Sequence, residues 1–91
     1  MTREKPGLFS SENTLRTKIH DLVVHNDDFN TFDFVIQTLI EVCAHKPEQA
    51  EQCTMIIHYK GKCVVRSGEL DLLEPMYLEI VRRGITATIE E

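Results

Sequence analysis

Between Phe32 and Cys43 the apolar residues keep to one rhythm. Phe32, Val35, Ile36, Leu39, Ile40 and Cys43 recur at steps of three and four. That is one wide stripe along an α-helix, and so broad a face must be covered by the rest of the chain. Ninety-one residues leave one small domain to do it. The helix is expected to begin near Asn30, a good N-cap, with Asp33 three residues on in a near capping box.

The neighbouring segments supply partners for that face. Lys18 to His25 holds Ile19, Leu22, Val23 and Val24, whose β-branched members favour a strand. Asn26-Asp27-Asp28 ends it, since these side chains prefer turns. A second helix is predicted to open at Pro47, which suits the first helical position, with Glu48 near the positive dipole end. Ala50, Cys53, Ile56 and Ile57 form its expected buried side, and Gly61 its stop. Lys62 to Arg66 reads as a short strand, and Ser67-Gly68-Glu69 as a turn into a third helix. That helix either starts at Pro75 or is kinked there after a first turn over 70–74. Leu73, Met76, Tyr77, Ile80 and Val81 form its apolar face, and Gly84 closes it. Ile85 to Ile89 alternates apolar with polar, as a half-buried strand does. The order β-α-α-β-α-β implies an α+β sandwich, a three-stranded antiparallel sheet against three helices. Residues 1–16 are polar apart from Leu8, Phe9 and Leu15 and read as a flexible N-terminal extension to a core domain over 17–91.

Charge narrows the partners. A net charge of −5 argues against nucleic-acid backbones and anionic membranes and suits a cationic ligand. No apolar run is long enough for a signal peptide or a membrane span, so a cytoplasmic location is expected. Three cysteines, Cys43, Cys53 and Cys63, form no CxxC pair and read as reduced, mostly buried thiols.

Two short segments carry the chemistry. Asn26-Asp27-Asp28-Phe29 stands at a strand-to-helix junction, and His58-Tyr59-Lys60-Gly61-Lys62 where the second helix ends. On residues alone, Asn-Asp-Asp before a helix is ordinarily turn and capping chemistry. A histidine near a helix C-terminus ordinarily interacts with the dipole. The other reading is a small cup. Thr54, Ile57 and His58 share one helix face; if it looks toward the junction, Asn26, Asp27 and His58 form a rim above an apolar wall. Such a rim accepts hydrogen bonds from a free α-amino group, a cation with three donors.

This pair of segments resembles the signature of ClpS, the bacterial adaptor family that recognises N-degrons. The likeness runs from Val23 to about Val65 without a gap, then from Ser67 to Glu90 with a shorter third helix. It rests on Asn26, Asp27, Asp28, Phe29, Asp33, Phe34, Val35, Ala50, Gln52, His58, Tyr59, Gly61 and Lys62. The resemblance implies a binding adaptor and not an enzyme, with no cofactor. It implies substrates with Leu, Phe, Tyr or Trp at the N-terminus, delivered to a ClpA- or ClpC-type AAA+ unfoldase with ClpP. By position, Asn26, Asp27 and His58 would hold the α-amino group. Asn30, Phe32, Val35, Thr54, Ile57 and Ile85 would shape the side-chain pocket, and Glu69 would contact the unfoldase N-domain. The N-terminal extension would serve delivery.

The chain departs from the family pattern at three pocket positions. Asn30 stands where Thr is usual, Phe32 where a Met gates the pocket, and Thr54 where a large apolar residue is usual. The gate is bigger and the wall smaller and wetter. Three other readings compete. A metal site from Cys43, His45, Cys53, His58 and Cys63 matches no standard zinc spacing. An Asp27–His58 acid–base pair lacks an activated nucleophile. A structural module like the C-terminal domain of ribosomal L7/L12 shares the general fold but lacks the two segments.

Overall fold

Val23 and Val24 hold the chain extended through β1 (His20–His25), the central strand of an antiparallel sheet ordered β2-β1-β3. The computed structural model describes residues 18–91; the extension read over 1–16 lies outside the described residues. After β1 come α1 (Phe32–Cys43), α2 (Pro47–Lys60), β2 (Lys62–Gly68), α3 (Leu70–Arg82) and β3 (Ala87–Glu90). This is the expected α+β arrangement of three antiparallel strands and three helices. Leu22 and Val24, two residues apart and so on one face of β1, meet Val35, Leu39 and Cys43 of α1, Ala50 and Ile57 of α2, and Leu73 and Ile80 of α3. Burying each large side chain contributes roughly 1.5–3 kcal/mol.

Several boundaries differ from the sequence-based expectation, each for a local reason. The cap of α1 is Thr31, not Asn30: Thr31 Oγ1 accepts from the Phe34 amide at 3.1 Å. Asn30 is held out of the helix by Asp27, as described below. On α2 the buried face is Ala50, Thr54 and Ile57, with Cys53 beside them, while Ile56 is 41% exposed. Spacings of four, three and seven from Ala50 define that stripe, and Ile56 falls outside it. Strand β2 continues through Ser67 and Gly68 because they pair with Asp21 and His20, and Ser67 Oγ donates to Asp21 Oδ1 at 2.6 Å. Helix α3 begins at Leu70 and runs through Pro75, so it does not start there and the first turn over 70–74 is present; burial of Leu73 and Ile80 on either side outweighs the missing hydrogen bond. Val81, expected on its buried face, is exposed. Ile85 belongs to the exit of α3. Its amide donates to Ile80 O and that of Gly84 (φ 87°) to Val81 O, the two bonds of a Schellman closure, so β3 starts only at Ala87.

A bulge locks the helices onto the sheet. The register places Leu22 opposite Arg66 but Val23 opposite Val64, leaving Val65 as the extra residue. Its carbonyl accepts from Nε2 of buried His45 at 2.6 Å. The next residue, Arg66, donates to Cys43 O at 3.1 Å, supplying positive charge to the end of α1, which has no basic residue in its last turn. The α1–α2 connection is thereby tied to β2.

At the end of α2, Gly61 has φ 93° and donates its amide to Ile57 O at 2.9 Å. A Cβ there would meet nothing within 4 Å, so only the left-handed backbone resists substitution. Gly61→Ala is expected to cost about 1–2 kcal/mol, seen in urea as a lower midpoint with an unchanged slope.

Candidate functional site

Antiparallel pairing decides what faces what. His25, the last residue of β1, lies opposite Lys62, the first of β2. The next amide, Asn26 N, donates to Gly61 O at 2.8 Å. The turn that begins at Asn26 is therefore pinned against the end of α2, where His58 stands. The two chemistry-bearing segments meet although more than thirty positions separate Asn26 from His58.

Asp27 then shapes the turn. Its Oδ1 accepts from the amides of Phe29 and Asn30 at 2.8 and 2.9 Å, and its Oδ2 from Asn30 Nδ2 at 2.7 Å. Asn30 Nδ2 also donates to Gly84 O at 3.0 Å, fastening the turn to the exit of α3. Nothing in the sequence announces the Gly84 contact, made by a backbone carbonyl fifty-four residues away.

These constraints leave a cavity of about 300 Å³ lined by Asn26, Asp27, Asp28, Asn30, Thr31, Phe32, Val35, Thr54, Ile57 and His58. Eight of the ten residues assigned to the substrate and unfoldase contacts line it: Asn26, Asp27, His58, Asn30, Phe32, Val35, Thr54 and Ile57. Val35, Thr54 and Ile57 are buried, Asp27 and Asn30 half-buried, and Asn26, Phe32 and His58 exposed, which distinguishes floor from rim. Ile85 sits instead in the core cluster, and Glu69 caps the start of α3; neither lines the cavity. Asp28 and Thr31 line it without having been assigned. Asp28 is the third residue of the Asn-Asp-Asp run, and Thr31 is brought in by its capping role.

The rim is acceptor-rich. Burial works to raise the pKa of Asp27, but the Asn30 and Phe29 amides and the Asn30 side chain outweigh it, and the carboxyl is held below its ordinary value. Asp27 is therefore ionised throughout the neutral range. The His58 ring meets Phe32 edge to face, centroids 5.2 Å apart and planes at 72°, so the aromatic at the mouth also orients the imidazole. Phe29 projects beside the site, 92% exposed. A carboxylate, an amide and an imidazole above an apolar floor suit a cation carrying an apolar side chain.

The cysteines lie elsewhere. Burial pushes the Cys43 thiol up to about 11, and burial together with Cys53 pushes that of Cys63 to about 12, so both keep their protons at neutral pH. Among the described residues no group of three or more His, Cys, Asp or Glu side chains is assembled that could hold a metal ion, so the five residues weighed as a zinc site do not converge. Among the same residues no helix is long and apolar enough to cross a membrane.

Comparison with known proteins bears on this arrangement. A family profile for the ATP-dependent Clp protease adaptor protein ClpS matches residues 16–87. The chain is 29% identical over 79 residues to the ATP-dependent Clp protease adapter protein ClpS of Neisseria meningitidis, covering 87% of this chain and 77% of that protein. It is 32% identical over 71 residues to the protein of the same name from Oleidesulfovibrio alaskensis, covering 76% of this chain and 68% of the relative. The fold superimposes on that of Agrobacterium tumefaciens ClpS2 bound to L-phenylalaninamide with a TM-score of 0.77, at 26% identity, over 82% of this chain and 98% of the other.

The bonds to Asp27 make a measurable prediction. Its folded pKa lies below the ordinary carboxyl value, so the unfolded chain binds the proton more readily. The stabilisation is present above the unfolded value and lost as pH falls through the folded one. Asp27→Asn should lower the melting temperature near pH 7, and the gap to wild type should close as pH falls through the folded pKa of Asp27. A gap of constant size down to pH 2.5 would mean that the charge of Asp27 does not hold the turn.

Proposed function

The chain belongs to the ClpS family of ATP-dependent Clp protease adaptors, and from that membership we propose that it binds the free N-terminal residue of N-degron substrates and delivers them for degradation. The observation that carries the reading is the cavity itself. Its mouth combines Asn26, an ionised Asp27 and His58, and its floor is formed by Val35, Thr54 and Ile57. An N-terminal residue has the matching form: an ammonium with three donors beside an apolar side chain. The phenylalaninamide held by Agrobacterium ClpS2 is a ligand of this form, with a free α-amino group and a benzyl side chain.

In this reading Asn26, Asp27 and His58 take the α-amino group, and Asn30, Phe32, Val35, Thr54 and Ile57 surround the side chain. Among the described residues Asp27 Oδ2 accepts one bond, from Asn30 Nδ2, and keeps a lone pair for the ligand. Ile85 supports the floor from the core. The protein acts by binding and not by catalysis, in the cytoplasm. Its partner is a ClpA- or ClpC-type unfoldase working with ClpP, met through the surface around Glu69 at the start of α3. Residues 1–16 form the extension used in delivery, and 17–91 the adaptor core.

Charge-assisted hydrogen bonds contribute roughly 1.5–3 kcal/mol each. Acetylating a Phe-starting peptide removes the charge and crowds the rim, so affinity should fall about a hundredfold or more. His58→Ala should weaken the free peptide as well while leaving the melting temperature unchanged, because His58 is exposed. Titrations of free and acetylated peptide beside thermal melts provide the check. Equal affinity for the two peptides would sink the proposal.

A further inference from the structure

Of the buried side chains lining the cavity, Val35, Thr54 and Ile57, Thr54 is the polar one. A hydroxyl has one proton and two lone pairs. The proton of Thr54 is engaged, donated to Ala50 O one turn back along α2 at 2.8 Å. What Thr54 has left to offer is acceptance. Asn30 is in the same condition. Both protons of its amide are engaged, on Asp27 Oδ2 at 2.7 Å and Gly84 O at 3.0 Å, and its Oδ1 remains. Thr31, the other hydroxyl in the lining, is exposed at the helix cap, where its Oγ1 already accepts from Phe34 N. The interior of the cavity thus holds acceptors whose own donors are satisfied by the protein.

Depth matters as much as polarity. Thr54 precedes His58 by four residues on α2, a rise of about 6 Å, and is buried where His58 is exposed. That rise is close to the reach of a benzyl group measured from an α-carbon held at the rim. A ring entering from the rim toward the buried Thr54 would carry its para position to that level.

Building on the reading of the cavity as a pocket for an N-terminal residue, we infer that Thr54 makes the pocket select tyrosine over phenylalanine. The phenol proton of tyrosine is donated to Thr54 Oγ1, while Thr54 keeps its own bond to Ala50 O. A buried phenol without an acceptor would be penalised; here it finds one. Phenylalanine loses little in absolute terms, because Thr54 stays bonded to Ala50 whether or not a phenol arrives. The preference is accordingly modest, roughly threefold to tenfold.

The test uses the full chain and peptides differing only in the first residue: Tyr, Phe and para-fluoro-Phe. The fluorinated ring extends the para position but has no proton to donate. Wild type should bind the Tyr peptide threefold to tenfold more tightly than the other two, which should match each other. Thr54→Val should bring the Tyr and Phe peptides to equal affinity, and Thr54→Ser, which keeps the hydroxyl, should retain the Tyr advantage. The wild-type titration stands by itself should a variant fail to fold. Equal binding of Tyr and Phe, binding of para-fluoro-Phe as tight as Tyr, or a Tyr advantage that survives in Thr54→Val would overturn the inference and leave the pocket reading intact. Absence of binding by all three peptides would overturn both.

Discussion

The antiparallel register of β1 against β2 is the constraint on which the site depends. With His25 opposite Lys62, the chain leaving β1 arrives beside the chain entering β2, and Asn26 N bonds Gly61 O. A slip of one residue would turn Leu22 and Val24 out of the core and carry Asn26 away from the end of α2. Burial of those two side chains therefore holds the turn and the helix end together. The bulge at Val65 contributes in the same way. It frees a carbonyl for His45 and lets Arg66 reach Cys43 O, so α1 and α2 cannot shift independently of the strand that sets the rim.

Two readings of Asn26-Asp27-Asp28 competed at the level of sequence, turn chemistry and cation recognition. Asp27 satisfies the first and is equipped for the second. Its Oδ1 is fully used by the turn, holding the Phe29 and Asn30 amides, while Oδ2 keeps capacity at the cavity mouth. The same bonds that shape the loop lower the pKa of the carboxyl and keep it charged. Structural and functional demands here reinforce each other, because a carboxylate surrounded by donors is both a good loop organiser and a persistent anion.

Packing overrode local preference in recognisable places. Pro75 reads as a possible helix start, yet α3 begins five residues earlier and passes through it, with Leu73 and Ile80 buried on either side. Ile56 reads as core by hydropathy, yet Thr54 occupies the buried stripe because it lies four residues from Ala50 and three from Ile57. Asn30 reads as a helix cap, yet its amide joins Asp27 to Gly84 and Thr31 caps α1 instead. The last two shifts place a polar group in the cavity lining, and together they give it the acceptor-lined interior.

What the sequence by itself determined is local and periodic. The stripe from Phe32 to Cys43, the Pro47 start and Gly61 stop of α2, and the turn at Asn26-Asp27-Asp28 follow from side-chain spacing and backbone preference within a few residues. Their order sufficed for the α+β class, and the two short segments named the candidate rim residues. Tertiary structure alone decided the rest. Whether the His58 face looks toward Asn26 depends on strand register; which protons remain free inside the cavity depends on Ala50 O and Gly84 O. Backbone carbonyls carry no signature in a sequence, since every residue has one, and only folding decides which of them stands within reach of Asn30 or Thr54.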